Sequence, residues 1–422
     1  MKISAVSKLF ILCFFYCFTA LGQTQQYSLQ DLENSFFENN VQLLAQKLNI
    51  QKAHALAVYQ KVWQNPNFSI SEVNLWKTYN IEKQAHLFGN YGEAQQIALE
   101  LEQLIETAGK RKKRVAVKNQ ELQGATLQYE ELLRELKKEL RIAYFSLNSI
   151  IQQENSLKQV VQLFEELSAQ YKKQNESQNV SQADYLRVEA ELIALQKDLV
   201  NLNINRQEQL RILQVLTHNT DLKAEQILFS NKPIGSLTKI PLDIKQIALK
   251  QNIQLQLLQN EVQIASAQLK VERANSKPDL TLKLNYDRGG SIMSDFIGFG
   301  VGMDIPIFNK NKGQIKAAEY TLQQQSLQVK DNELKLCSYI GSLQKQLVYL
   351  DQTLKRWPLK QLNTQSQVLE SYKKNLQSKQ ISLIEFIDFN SSYLESFQAY
   401  TELLESYNSV YEELQYITGQ DF

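Results

Sequence analysis

The sequence predicts a mainly helical protein with a small β part, built from two similar halves. Long stretches rich in Leu, Gln, Glu and Lys contain few of the chain's 14 Gly and 6 Pro residues, which favours long helices. Residues 277–308 instead alternate apolar with small or polar residues, the period typical of β-strands. The same order of elements then occurs twice. These observations predict duplicated long-helix hairpins that form coiled coils, together with two β-hairpins.

The first 22 residues have the pattern of an export signal. Lys2 and Lys8 provide a positive start, an apolar core follows, and residues 20–22 (Ala-Leu-Gly) form a small-x-small cleavage site. The apolar core is too short to span a bilayer comfortably. We therefore expect residues 1–22 to be a signal peptide. Its removal would leave Cys337 as the only thiol, so no intramolecular disulfide could form.

The first half is expected to begin with a helix from about Ser28 to Gln64, followed by a β-hairpin at about residues 67–103. The second strand of this hairpin, around Leu99, could also be helical. A helix of roughly 60 residues, ~90 Å long at 1.5 Å per residue, then ends near Lys173. Its apolar residues alternate in steps of four and three, which is coiled-coil spacing. A turn and a return helix from about Ser181 to Leu216 complete this half.

The second half repeats this order. Residues 40–41 (Asn-Val) match 252–253 (Asn-Ile) at an offset of 212, and residues 180–181 (Val-Ser) match 381–382 (Ile-Ser) at an offset of 201. We therefore expect a first repeat at residues 23–218, a linker at 219–240 and a second repeat at 241–422, with its β-hairpin at about 279–308. Pro358 should kink or break the second long helix.

The second hairpin has one apolar face, because its apolar residues occupy alternate positions in both strands. An isolated hairpin of this kind is marginal in water, and contact with a membrane would explain the apolar face. The residues expected to face the membrane are Leu280, Leu282, Leu284, Phe299, Val301, Met303 and Ile305. Four strands cannot close a barrel, and open sheet edges are not tolerated in lipid. Three copies would provide a β-barrel of about twelve strands, with the long helices continuing from one end.

Composition argues against several other functions. The chain has 46 Lys and Arg against 45 Asp and Glu, so it has no bulk attraction for nucleic acid. The basic run Lys110–Arg114 adjoins the first hairpin and suits a lipid head-group interface, although inert solvated charge explains it equally well. His54, His86 and His218 lack metal-ligand spacing. No Ser-His-Asp set, phosphate-binding loop or paired acid and base is recognisable, so we expect no enzyme activity, no cofactor and no metal site.

Three motifs resemble those of a known family. They are Asn65-Pro66 before the first hairpin, Gly109-Lys110-Arg111 before the first long helix, and residues 301–308 (VGMDIPIF) with Gly313 before the second. With the duplication, they resemble the TolC-like outer-membrane efflux family, and within it the cobalt–zinc–cadmium resistance branch. The resemblance implies a homotrimeric channel in the outer membrane of a Gram-negative bacterium, with a long periplasmic α-helical barrel. Such a channel passively receives substrate from an inner-membrane efflux pump through a periplasmic adaptor protein.

The resemblance also implies that the adaptor contacts the two turns between long helices. The family usually has a Gly in each turn, where this chain has Gln178 and Lys379. The expected contact residues are Gln178, Asn179, Val180, Ser181, Lys379, Gln380, Ile381 and Ser382.

Three acidic residues, Asp184, Glu385 and Asp388, follow these turns. In three copies they could form a carboxylate ring that holds the aperture closed or selects cations. Alternatively, they are solvated carboxylates near helix starts, where acidic residues are favoured.

A second hypothesis is a soluble periplasmic coiled-coil adaptor or scaffold protein, whose hairpins pack only on themselves. The apolar alternation with interleaved glycines in residues 298–303 favours lipid contact instead. The resemblance does not identify the substrate, because it implies a plan shared by ducts for metal ions, drugs and secreted peptides.

Overall fold

The computed structural model describes residues 26–74, 86, 96–229, 236–289, 293–357, 368–369 and 371–422. The expected signal peptide and Pro358 lie outside the described residues, as does part of the expected linker. The chain forms two compact units. The helical unit contains residues up to Leu44, Leu132–Ala248 and Cys337–Phe422, and the sheet unit contains Ala45–Glu131 and Leu249–Leu336.

The helices follow the order expected from the duplication. Those of the first half are α1 (Leu29–Asn39), α2 (Val41–Tyr59), α3 (Lys110–Glu176) and α4 (Gln182–Thr217). Those of the second half are α5 (Ile244–Gln251), α6 (Ile253–Asn275), α7 (Lys312–Arg356) and α8 (Leu383–Thr418). Residues 371–377 are also helical. α3 has 67 residues, so the expectation of a very long helix is confirmed.

The expected single helix from Ser28 to Gln64 is wrong, because it is interrupted at Asn40 and ends at Tyr59. The backbone of Asn40 is extended, and its side-chain oxygen accepts a hydrogen bond from the N–H of Leu43 at 3.1 Å. Asn252 makes the same bond to the N–H of Leu255, at 2.7 Å, between α5 and α6. Asn is a strong N-cap residue, so each of these positions starts a new helix. Apolar periodicity continues across such a cap and does not reveal it.

The two hairpins form one antiparallel sheet in the order β1-β2-β3-β4. The strands are β1 (Asn67–Asn74), β2 (Gln96–Ile105), β3 (Leu280–Gly289) and β4 (Ser294–Met303). The alternative that residues around Leu99 are helical is therefore excluded. β4 ends at Met303, so Ile305 follows the strand rather than belonging to it. Pro306 has no N–H group to donate to a sheet, which explains the earlier end.

The helical unit has a core shared by both repeats. Phe164 of α3 and Phe386 of α8 are fully buried, and their ring centroids lie 5.8 Å apart. Tyr393, Tyr407 and Tyr411 of α8 are also buried, so aromatic residues of this helix form part of the core.

A charged network lies inside the same unit. Arg141 of α3 donates to Glu33 of α1 at 2.5 Å and to Glu412 of α8 at 2.9 Å. Both carboxylates are buried, and burial raises the pKa of Glu412 above its ordinary value although Arg141 opposes the shift. The network connects α1, α3 and α8. Removing one partner would destabilise the unit, because a buried charge would be left unpaired.

Candidate functional site: the apolar sheet face and the helix tips

One face of the sheet is apolar in all four strands. The register pairs Leu284 with Leu101 on one side and with Phe299 on the other, so the three side chains share a face. Residues on this face include Phe68, Ile70, Leu99, Leu101, Leu280, Leu282, Leu284, Ile297, Phe299, Val301 and Met303. Phe299 is 72% exposed and Ile297 is 71% exposed. The sheet unit thus presents a continuous apolar surface that its own described residues leave uncovered, as expected for a surface that contacts lipid.

The opposite face of the sheet carries mainly polar and small residues. Lys283 forms ion pairs with Glu100, at 2.9 Å, and with Glu102. Gly298 lies on this face, where a Cβ atom would overlap the Asn285 side chain and approach the Phe296 ring to 2.6 Å. Glycine is therefore required at this position by close packing across the sheet. The glycines of β4 thus lie on the polar face, and its alternating apolar residues lie on the other face.

One end of the sheet is fixed to the helices by a buried lysine. Lys110, the first residue of α3, is 6% exposed and forms an ion pair with Asp279 at 2.7 Å. It also donates to the carbonyl oxygen of Lys277 at 2.7 Å. The N–H of Thr107 donates to the other Asp279 oxygen at 2.8 Å. Lys110, the first residue of the basic run Lys110–Arg114, therefore has a defined structural partner.

The two turns between long helices have the same backbone structure. We call residues 178–186 tip 1 and residues 379–389 tip 2. Gln178 and Lys379 both have left-handed backbones, with φ of 60° and 57°. The N–H of Asn179 donates to Gln174 and that of Gln380 to Asn375, both at 2.8 Å. These helix-ending bonds recur at the offset of 201 residues seen in the sequence. A left-handed backbone is therefore present at both positions where the family resemblance would lead one to expect glycine.

Each tip then starts its return helix with a serine cap. The hydroxyl oxygen of Ser181 accepts from the N–H of Asp184 at 3.0 Å, and that of Ser382 accepts from the N–H of Glu385 at 3.2 Å. The Glu385 carboxylate accepts in return from the N–H of Ser382 at 2.7 Å, which completes a capping box. That backbone hydrogen bond, with the one from the Ser382 hydroxyl, lowers the pKa of Glu385.

The candidate gate residues do not share one environment. Asp184 and Glu385 occupy equivalent positions in the first turn of their helices and bond to the preceding serine. Asp388 lies three residues further along α8 and is exposed. Asp184 and Glu385 therefore have a structural role at the helix starts, whereas Asp388 is presented on the surface of tip 2.

The helices that lead into the two tips pack on one another within the helical unit. Val188 of α4 and Leu383 of α8 belong to the same buried cluster as Phe164. The rings of Tyr372 and Phe389 stack with centroids 3.8 Å apart. Lys373 donates to Glu166 of α3 at 2.7 Å. These contacts bring the two tips of one chain side by side, which the sequence alone did not establish.

Sequence reasoning missed an aromatic partner of the basic run. The guanidinium of Arg111 lies 3.8 Å from the ring centroid of Trp63, a cation–π contact. Trp63 lies just N-terminal to β1. A tryptophan beside a predicted membrane strand is the sequence feature that could have indicated this contact, because tryptophan is enriched at membrane interfaces.

Within the described residues, no group of three or more His, Cys, Asp and Glu side chains is arranged to hold a metal ion. In the same part of the chain, no helix is long and apolar enough to cross a membrane.

Comparison with known proteins agrees with this architecture. Residues 244–383 match the outer membrane efflux protein family. No curated protein matches the chain by sequence. A crystal structure of CusC matches with a TM-score of 0.74 at 17% identity, covering 93% of this chain and 92% of CusC. That structure was reported in connection with folding and transmembrane channel formation.

Two further solved structures share the fold. The CmeC outer membrane channel of Campylobacter jejuni has a TM-score of 0.74 at 16% identity, covering 93% of this chain and 85% of CmeC. The outer membrane protein VceC of Vibrio cholerae has a TM-score of 0.71 at 15% identity, covering 93% of this chain and 96% of VceC. The expected fold, mainly helical with a small sheet, is therefore confirmed. Residues 244–383 are thus similar to the outer membrane efflux protein family, and the chain shares the fold of these outer-membrane channel structures.

Proposed function

We propose that this protein is the outer-membrane exit duct of a tripartite efflux system, passively conducting substrate to the exterior. The observation that carries the proposal is the four-stranded sheet, with its exposed apolar face and its polar opposite face. An apolar face in contact with lipid and a polar face toward a lumen are the arrangement of membrane β-barrels. Transport through such a duct needs no catalytic site, so the protein acts as a channel rather than an enzyme.

The channel is a homotrimer. Within the described residues, β1 and β4 each have one unpaired edge, and pairing β1 of one copy with β4 of the next would close a barrel of about twelve strands. Two different edges that meet head to tail produce a closed ring when the rotation closes.

Exposed apolar residues on the helices support the same assembly. Leu186, Ile193 and Val200 recur every seven residues on α4 and are at least 54% exposed. Tyr320, Leu327 and Leu334 show the same spacing on α7. Stripes with this period are the contact surfaces of coiled coils, and a second copy of the chain is the partner that both stripes suit.

The two helix tips are the docking surface for a periplasmic adaptor, which connects the duct to an inner-membrane pump. Matching left-handed turns and serine caps place equivalent residues of both tips in equivalent positions. A threefold assembly would therefore present six similar tips to an adaptor. In this proposal the tips lie on the periplasmic side and the sheet lies in the outer membrane.

The alternative, a soluble periplasmic adaptor or scaffold protein, is not favoured. In that case the hairpins would bury their apolar face on the rest of the chain, whereas Phe299 and Ile297 are largely exposed. The comparisons do not specifically support the heavy-metal branch, because several outer-membrane channel structures match the chain equally well.

Membrane fractionation tests the proposal. We expect the full-length protein in the outer-membrane fraction, released only by detergent, and chemical cross-linking of the purified protein to give a trimer. The same cross-linking after full denaturation is the control for random contacts. Recovery in the soluble periplasm without detergent, or cross-linking no further than the monomer, would contradict the duct.

A further inference from the structure

A basic cavity lies where the sheet unit passes from strand to helix. Its volume is about 330 Å³, and it is lined by Lys61, Trp63, Glu106, Arg111 and Lys112, among others. The single carboxylate in this set, Glu106, accepts hydrogen bonds from Arg114 through both oxygens, so its charge is already neutralised. The three remaining basic side chains give the cavity a net positive charge, which favours an anionic occupant.

Arg111 is placed to bind such an occupant. The Trp63 ring holds the guanidinium from one side, at 3.8 Å. The Nη1 atom of Arg111 is buried and has no hydrogen-bond partner within the described residues. A buried charged donor without an acceptor is costly, and most such groups in folded proteins are satisfied. The planar fork of donors on arginine suits phosphate oxygens in particular.

The start of α3 adds to the positive potential. Gly109 precedes the helix with a left-handed backbone, and Lys110–Lys113 form its first turn. Basic residues are disfavoured at this end of a helix, because the helix dipole is positive there. An anion held at the same place would offset that repulsion, and helix N-termini bind phosphate groups for this reason.

The position of the cavity indicates the source of the anion. It lies at the end of the sheet where β2 stops at Ile105 and α3 begins at Lys110. Trp63 is 54% exposed there, and tryptophan is enriched at the level of lipid head groups. We propose that this cavity binds the phosphate of an anionic phospholipid head group on the periplasmic side of the membrane. The proposal rests on the proposed function, because the sheet must lie in a membrane.

Tryptophan fluorescence tests the proposal on the detergent-purified full chain. Replacing Trp76 and Trp357 by Phe leaves Trp63 as the only tryptophan. Titration with dihexanoyl phosphatidylglycerol should give a saturable change in Trp63 fluorescence. Each removed basic residue should raise the Kd about fivefold, so Arg111→Gln with Lys112→Gln should raise it on the order of 25-fold. A second pair, Lys61→Gln with Lys112→Gln, should act similarly while keeping the Arg111–Trp63 contact.

The control pair is Lys330→Gln with Lys335→Gln, which removes the same charge from the exposed surface of α7. It should leave the Kd within about twofold, since distant surface charges are screened. Equal weakening by the control and cavity pairs would overturn the proposal, as would the lack of any saturable change. Saturation by inorganic phosphate at the same concentrations would identify a free-phosphate site and overturn the lipid assignment. Outer-membrane fractionation is measured separately. A protein that fractionates as expected but does not bind the lipid would contradict the lipid site and not the proposed function.

Discussion

Two residues at the tips have backbones that their side chains disfavour. Gln178 and Lys379 are left-handed, a conformation that costs a non-glycine residue about 1–2 kcal/mol. The helix-ending bonds made by the next residue, Asn179 or Gln380, hold each of them there. The turn is therefore formed without glycine, and each position carries a side chain that a partner could contact.

Gln178→Gly and Lys379→Gly should each stabilise the local turn by about 0.5–1 kcal/mol, because the relief of strain exceeds the extra backbone entropy of glycine. Hydrogen exchange at the amides of Asn179 and Gln380 should slow accordingly. Gln170→Gly, within α3, is the control and should destabilise its helix by about 1 kcal/mol. Faster exchange at the turns in the glycine variants would show that the left-handed backbone is not strained.

The cap of α8 should respond to acid. Hydrogen bonds from Ser382 lower the pKa of Glu385 below its ordinary value of 4.5, so the charged form stabilises the folded helix start. That stability is present above the ordinary value and is lost as the pH falls through the lowered one. Exchange at the Glu385 amide, corrected for its intrinsic rate, should accelerate below about pH 4.5.

Glu385→Gln should remove this acid response while leaving exchange slow at neutral pH, since Gln also suits a capping box. Ser382→Ala should cost about 1 kcal/mol at every pH, because it removes the hydroxyl that accepts from the helix N–H. An acid response that persists unchanged in Glu385→Gln would assign the effect to another group.

The sheet acts as a single element with two chemically different faces. Its register brings apolar residues of four strands, distant in sequence, onto one surface. On the opposite face, Gly298 allows the Asn285 side chain to approach β4, and Lys283 of β3 forms ion pairs with Glu100 and Glu102 of β2. An added positive charge should therefore block membrane insertion on the apolar face and be tolerated on the polar face.

Phe299→Arg should block insertion, because an arginine on a lipid-facing strand costs about 2–4 kcal/mol at the centre of a bilayer. Asn285→Arg is the matched control on the polar face, in the strand next to Phe299 and opposite Glu100. Fractionation should find Asn285→Arg in the outer membrane and little Phe299→Arg there. Equal amounts of both in the membrane would mean that the apolar face does not meet lipid.

At the scale of the whole molecule, the proposed function depends on copies of the chain acting together. A carboxylate on one tip is an isolated surface charge, whereas three copies place it in a ring around a shared axis. Asp388 is exposed and outside the helix caps, so it suits this role better than Glu385, whose carboxylate is held by Ser382.

Asp388→Asn should raise the single-channel conductance in planar bilayers, as should Asp184→Asn, if the carboxylates hold the aperture closed through ion pairs. Asn keeps an acceptor for the Ser181 hydroxyl, so the second variant retains its helix cap. Asp198→Asn, further along α4, is the control and should leave the conductance unchanged. Unchanged conductance in both tip variants would remove these residues from the gating mechanism.

Much of the fold could be predicted from the sequence because its signals are local. The 67-residue α3, the apolar alternation of β3 and β4, and the equivalence of the two tips all follow from residue spacing. The missed features are those that spacing does not show. The break at Asn40 depends on one side chain reaching a backbone N–H, and the end of β4 depends on Pro306.

The sequence by itself determined the duplication, the long helices and the existence of strands with one apolar face, because periodicity records which side of an element carries apolar residues. Only the tertiary structure decided that both hairpins join in one sheet, that both tips of a chain lie together, and that Trp63 and Arg111 form one wall of a cavity. These contacts join residues from separate elements, and no local pattern in either element specifies the partner.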